Sequence, residues 1–148
     1  MADPIITNDE VREFLADYAE NNHLLDGVEF SDTRISLATK LAVSEFNMLP
    51  PVGGVSVDTF LRQGAAVLLY GICWKLLEGQ AALLARNHMS YSDGGISLPI
   101  EERMELYLRL AGTFREQYMS AATRLKQYLN IESGFGEVGS DQASFPLW

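Results

Sequence analysis

The chain has 148 residues, 47% of them hydrophobic and 10% aromatic, enough for one domain with a sizeable core and too apolar for a disordered chain. Twenty acidic side chains against eleven Lys and Arg leave a formal charge of −9, which argues against an electrostatic grip on nucleic acid. A single cysteine, Cys73, excludes an intrachain disulfide and a cysteine-rich metal site.

The opening stretch MADPIITNDE is acidic and has no signal-peptide core. The longest uncharged apolar run, QGAAVLLYGICW, is too short to span a bilayer, so a soluble protein without a membrane partner is expected. Thr7 with Glu10 three residues on forms a capping box, with Ile6 and Val11 placed as a hydrophobic staple. The same pairing recurs at Ser31, flanked by Phe30 and Ile35, and at Ser56, flanked by Val55 and Phe60. The first helix is predicted from about Asn8 to Asn21, with Val11, Phe14, Leu15 and Tyr18 on one face. A linker with Gly27 follows. The second helix is predicted from Asp32 to Met48, with Ile35, Ala38, Leu41, Ala42 and Phe46 inward. Pro50 and Pro51 end it, since proline lacks an N–H and disfavours helix in the residue before it.

The third helix is predicted from Val57 to Asn87, on the order of 45 Å long. Its centre, AAVLLYGICWKLL, is apolar nearly all round, so several of its sides should be covered. Gly64, Gly71 and Gly79 are seven and eight apart and read as a small-residue stripe crossed closely by another helix, of this chain or a neighbour. The segment NHMSYSDGGISLPI reads as a short hairpin or tongue around Asp93, Gly94, Gly95 and Ile96. The fourth helix is predicted from Pro99 to Asn130. Its apolar positions Ile100, Met104, Tyr107, Ala111, Phe114, Tyr118, Ala121, Leu125 and Tyr128 alternate spacings of four and three, a heptad seam suited to a long partner helix. The remainder, with Gly134, Gly136 and Gly139, has no period and reads as an extended tail ending Phe145, Pro146, Leu147, Trp148.

The expected fold is therefore all-α. It is a four-helix bundle with two long antiparallel helices, a tongue between them and an extended C-terminal tail, divided as residues 1–130 and 131–148. Nothing in it argues for an enzyme, and none is expected. Cys73 lies in the apolar middle of the third helix, where a thiolate is disfavoured. His23 and His88 belong to no metal-ligand pattern, and no Glu is followed by His three residues on, as a di-iron bundle requires. There is no phosphate loop and no nucleophile elbow. No cofactor is expected. The features that ask for partners are the tongue and the tail, whose Phe145, Leu147 and Trp148 would be wasted in water and must either fold back onto the protein's own bundle or dock on another chain.

The succession TNDEVREFL, linker, FSDTRISLATKLAVSEFN, proline break, VDTFLRQGAAVLLYGICWKLLEGQAALLARN resembles the head–tail connector (adaptor) proteins of tailed bacteriophages. Leu68, Leu69 and Tyr70 echo a Leu-Leu-x-Tyr-like centre of that family's long helix, and SYSDGGISL is similar to the Ser-x-Gly-Asp-type segment that follows it. The resemblance covers roughly residues 5–128. It implies a virion structural protein at the head–tail junction, present in the host cytoplasm during assembly. It further implies a homo-oligomeric ring, commonly of twelve copies, that binds the portal protein and the next neck or tail protein. Double-stranded DNA would be only passing cargo in the ring's channel. On that reading Phe145–Trp148 form a portal-docking tail and Asp93–Ile96 a tongue toward a neighbour or the next ring. The long fourth helix and the aromatic terminus depart from many members. The alternatives are another neck component, such as a stopper or head-completion protein, and a small helical regulatory or ligand-binding bundle.

Overall fold

The computed structural model describes residues 5–22, 27–87 and 100–134. These form four helices and no strand: α1 (Asn8–Leu15), α2 (Asp32–Met48), α3 (Ala65–Arg86) and α4 (Ile100–Gly134), with a 3₁₀ turn, Arg62–Gly64, leading into α3. The all-helical expectation is borne out.

The capping box at Thr7 is present, with the Thr7 hydroxyl accepting from the Glu10 amide and the Glu10 carboxylate from the Thr7 amide at 2.7 Å. The helix stops six residues short of the predicted Asn21. Ala16 takes the left-handed conformation, φ 52°, and its amide bonds back to Glu13. The competing demand comes from Asp17. Its buried carboxylate turns into the following loop and accepts from the amides of Glu29 and Phe30 at 2.6 and 2.9 Å and from Asn22 at 2.7 Å. Two backbone donors satisfied inside the protein outweigh two further turns of amphipathic helix. Tyr18 consequently leaves the helical face and bonds Glu13.

Ser31 caps α2 through the Arg34 amide. Its buried row is Ile35, Ala38, Ala42, Val43 and Phe46. Leu41, predicted inward, is instead exposed, with Val43 inside in its place. After the prolines, Asn47 grips Val55 through both the amide and the carbonyl, at 3.0 and 2.7 Å. Ser56 caps only a short turn closed on Thr59, and α3 begins at Ala65 rather than at Val57. The intervening residues carry Phe60 into the core, edge-on to Phe46 at 5.0 Å. The segment Arg62–Arg86 is long and apolar enough to cross a membrane, and 56% of its most apolar window is buried within the protein.

Along α3 and α4 the glycine contacts run in opposite order. A Cβ on Gly64 would lie 2.8 Å from Leu125, and one on Gly71 would lie 2.7 Å from the Tyr118 ring. Tyr70 stacks with Phe114 at 6.3 Å, and Trp74 tilts against Tyr118 at 5.7 Å. Gly71 also faces α2, where its Cβ would come within 2.8 Å of Ala42. Gly79 departs from the predicted stripe: it is exposed, and the nearest atom, on Arg34, is 3.9 Å from where its Cβ would be.

The seam of α4 also shifts. Ala111, Tyr118 and Ala122 are buried and Leu125 and Leu129 half-buried, whereas Tyr128 is 54% exposed. A straight α-helix drifts about 20° per heptad, so a strict seven-residue row started at the N-terminal end rotates outward by the last turns.

The glycines make opposite predictions. Gly71→Ala forces a methyl against an aromatic ring and another methyl, and should destabilise by about 1–2 kcal/mol despite better helix propensity. Gly79→Ala meets only an ordinary van der Waals contact with Arg34 and should stabilise by about 0.5–1 kcal/mol. Urea midpoints of the two variants read the difference directly.

Candidate functional site

The buried polar groups of the core are committed to structure. Besides Asp17, Tyr118 lies wholly buried and donates its hydroxyl to the Ala42 carbonyl at 2.7 Å, and burial lifts its phenol well above the usual range. Lys126 is buried beside the proline loop. Its ammonium donates to the Pro51 carbonyl at 2.8 Å and rests 4.5 Å from the centre of the Phe46 ring. Desolvation lowers its pKa. Gln80, also buried, accepts from Arg34 at 2.9 Å and ties α3 to α2. Tyr107 donates to Glu29 at 2.6 Å, and its phenol is pushed up to about 12 by burial and then by that bond.

Burial pushes the Cys73 thiol up to about 12, so the thiolate needed of a nucleophile is not populated near neutral pH. Among the described residues no group of three His, Cys, Asp or Glu side chains could hold a metal ion. The predicted tongue, Asp93 to Ile96, and the predicted docking tail, Phe145 to Trp148, lie outside the described residues. Of the sequence-predicted site residues, Gly64 and Gly71 are thus brought under α4 and Gly79 is not.

The outer surface carries more information than the interior. Large apolar side chains face solvent on α2 (Leu37, Leu41, Met48), at the loop tip (Val52) and on α4 (Leu106, Leu108, Leu110). A shallow depression of about 470 Å³ lies between α2 and α3, lined by Arg34, Gly79, Ala82, Leu83 and Arg86. Another, of about 350 Å³, lies at the start of α1 beside the Arg12–Asp32 ion pair. Sequence reading singled out neither arginine of the larger depression. A signal was available: α2 carries a second apolar period, Leu37, Leu41, Met48, beside its core row.

The chain matches no family model, no curated protein and no solved structure in the comparisons made.

Two outcomes follow from the buried groups. Asp17→Ala leaves the Glu29 and Phe30 amides without their acceptor and should cost about 3 kcal/mol in a denaturant titration, well above a typical surface substitution. Cys73 should resist a thiol-reactive chromophore in the native protein and react at once in denaturant; fast native labelling would contradict its buried, protonated state.

Proposed function

We propose that the chain is a structural virion protein, a head-to-tail adaptor subunit that joins the capsid portal to the next neck component in a homo-oligomeric ring. On this reading it is a four-helix bundle with α3 and α4 as the long antiparallel pair, in keeping with the opposed order of their contacts. The observation that carries the reading is an all-helical subunit with large apolar side chains facing outward on two different helices, α2 and α4. Large exposed apolar side chains of this kind favour association over catalysis.

Three further features agree. The sequence order from Thr7 to Asn87 resembles that of the connector family. The apolar centre of α3 is filled by Tyr118, Ala42 and their neighbours rather than arranged around a cavity, which favours a packing role over a ligand pocket. A charge of −9 suits the wall of a channel through which DNA must slide without adhering. In this scheme the tail residues Phe145, Pro146, Leu147 and Trp148 dock on the portal, and weak single contacts gain avidity through repetition around the ring.

Removing residues 140–148 should leave helical content and cooperative thermal unfolding intact while abolishing capture by isolated portal rings in native mass measurement. Undiminished capture would overturn the role of the tail. Full-length protein that ignores portal at every concentration would overturn the adaptor reading itself.

A further inference from the structure

The outward face of α2 is an apolar stripe with a gap in it. Leu37, Leu41, Ser44 and Met48 follow at spacings of four, three and four, on the side of the helix away from Ile35, Ala42 and Phe46. The two leucines and the methionine are 57, 44 and 73% exposed. Ser44, small and exposed, leaves a hollow between Leu41 and Met48. None of the described residues covers this row.

Length decides which other segment of the chain can cover it. Residues 1–4 carry one large apolar side chain, Met1, and residues 23–26 are held at both ends by Asn22 and Gly27. Residues 88–99 leave α3 and enter α4 at the end of the bundle marked by the Arg34–Gln80 bond. Asn87 lies about 10 Å past Gln80, and Met48 lies about 21 Å from Arg34 in the other direction. A loop from Asn87 to Ile100 that must go out and back reaches only about 21 Å, which falls short of Met48.

Residues 135–148 are long enough. On α4, Tyr107, Tyr118 and Lys126 bond in turn to Glu29, Ala42 and Pro51, so α4 runs beside α2 in the same direction. Gly134 lies about 12 Å beyond the Lys126 contact, and Leu41 and Leu37 lie about 10 and 17 Å back from Met48. Rounding the bundle to the outside of α2 adds about 12 Å, the width of a helix. The longest route, to Leu37, is about 40 Å, and the fourteen residues after Gly134 span about 46 Å when extended.

We propose that residues 135–148 return along the outside of α2 of the same subunit and seat Phe145 and Trp148 on this stripe. Pro146 favours an extended backbone at Phe145, and in a polyproline-like segment side chains three apart share a side, about 9 Å from each other. The hollow over Ser44 and the one between Leu41 and Leu37 are about 8 Å apart. Phe145 fills the first and Trp148 the second. The exposed Tyr128 and Ile131 of α4 lie nearer to Gly134, but a seat there requires the residues before Phe145 to loop out without contact. A tether this short holds its own tail at millimolar effective concentration, ahead of the tail of a second copy. The inference rests on the adaptor reading only for what removes the tail. There the portal and the stripe compete for the same side chains, and the tail's departure uncovers the α2 face.

Fluorine NMR of the full-length chain, grown with fluorotryptophan, tests the seat. The chain has two tryptophans, and Trp148→Phe assigns their signals. Trp74, buried in the core, reports that each variant is folded. In wild type the Trp148 signal should stand away from its position in denaturant, and about a hundredfold dilution should not move it, because the contact is within one chain. Leu37→Asp and Leu41→Asp should each shift the equilibrium at least about tenfold toward release, bringing the Trp148 signal to its denatured position while the Trp74 signal stays. Ile131→Asp should leave both signals in place.

A Trp148 signal at its denatured position in wild type overturns the proposal. So does one that neither aspartate on α2 moves, or one that Ile131→Asp moves instead. A signal that changes on dilution also overturns it, and puts the tail on a second copy. Portal capture is a separate reading: Leu41→Asp should be captured at up to about tenfold lower concentration than wild type, since its tail is already free. A chain whose Trp148 behaves as described but ignores portal leaves the seat standing and removes the adaptor reading. Capture by portal with a Trp148 signal that neither aspartate moves does the reverse.

Discussion

The fold depends on one crossing, where Gly71 of α3 meets Tyr118 of α4 and Ala42 of α2. Without a side chain at Gly71, the Tyr118 ring can lie close against α3. The Tyr118 hydroxyl then reaches past α3 to the Ala42 carbonyl of α2. One residue thereby joins three helices. Trp74 closes the same point from the next turn of α3, and Phe114 and Tyr70 extend the aromatic contact by one turn along α4. Close packing makes the spacing of all three helices a consequence of this junction, since interiors do not tolerate gaps of even a methylene without cost.

The remaining buried polar groups hold the connections that the crossing requires. α2 must turn sharply after Met48 to deliver Phe60 beside Phe46, and the turn is held by Asn47 from inside and Lys126 from α4. Lys126 approaches so near that a Cβ on Gly53 would lie 2.9 Å from its nitrogen. Asp17 does the equivalent work at the other end, gathering the amides that lead into α2. Each is a charged or amide side chain satisfied by backbone, which fixes chain direction while leaving the core apolar.

Much of this was legible from spacing alone. The caps at Thr7 and Ser31, the proline break and the aromatic spacing of α4 all follow from local rules that tertiary structure has no reason to override. The failures share a cause. Helix α1 is cut short, and the start of α3 delayed, because Asp17 and Phe60 take part in contacts distant in sequence, and no periodicity records them. Leu41 misled because α2 has two apolar periods, and a leucine on the outer one is indistinguishable by type from a leucine in the core. The Tyr128 position failed for a geometric reason, the mismatch between seven residues and two turns of a straight helix.

Leu41 is also where misreading becomes information. A monomer has little to gain from placing leucines and a methionine along the outside of α2 while Ala38 and Ala42 take two of its five buried positions. The inside is constrained: Ala42 must be small because Tyr118 and Gly71 already fill that space. The outside is under no such constraint, so its apolar row reflects a second requirement laid on the same helix. Alanine inward brings α2 close to its own chain, and on the adaptor reading proposed above leucine outward offers it to another.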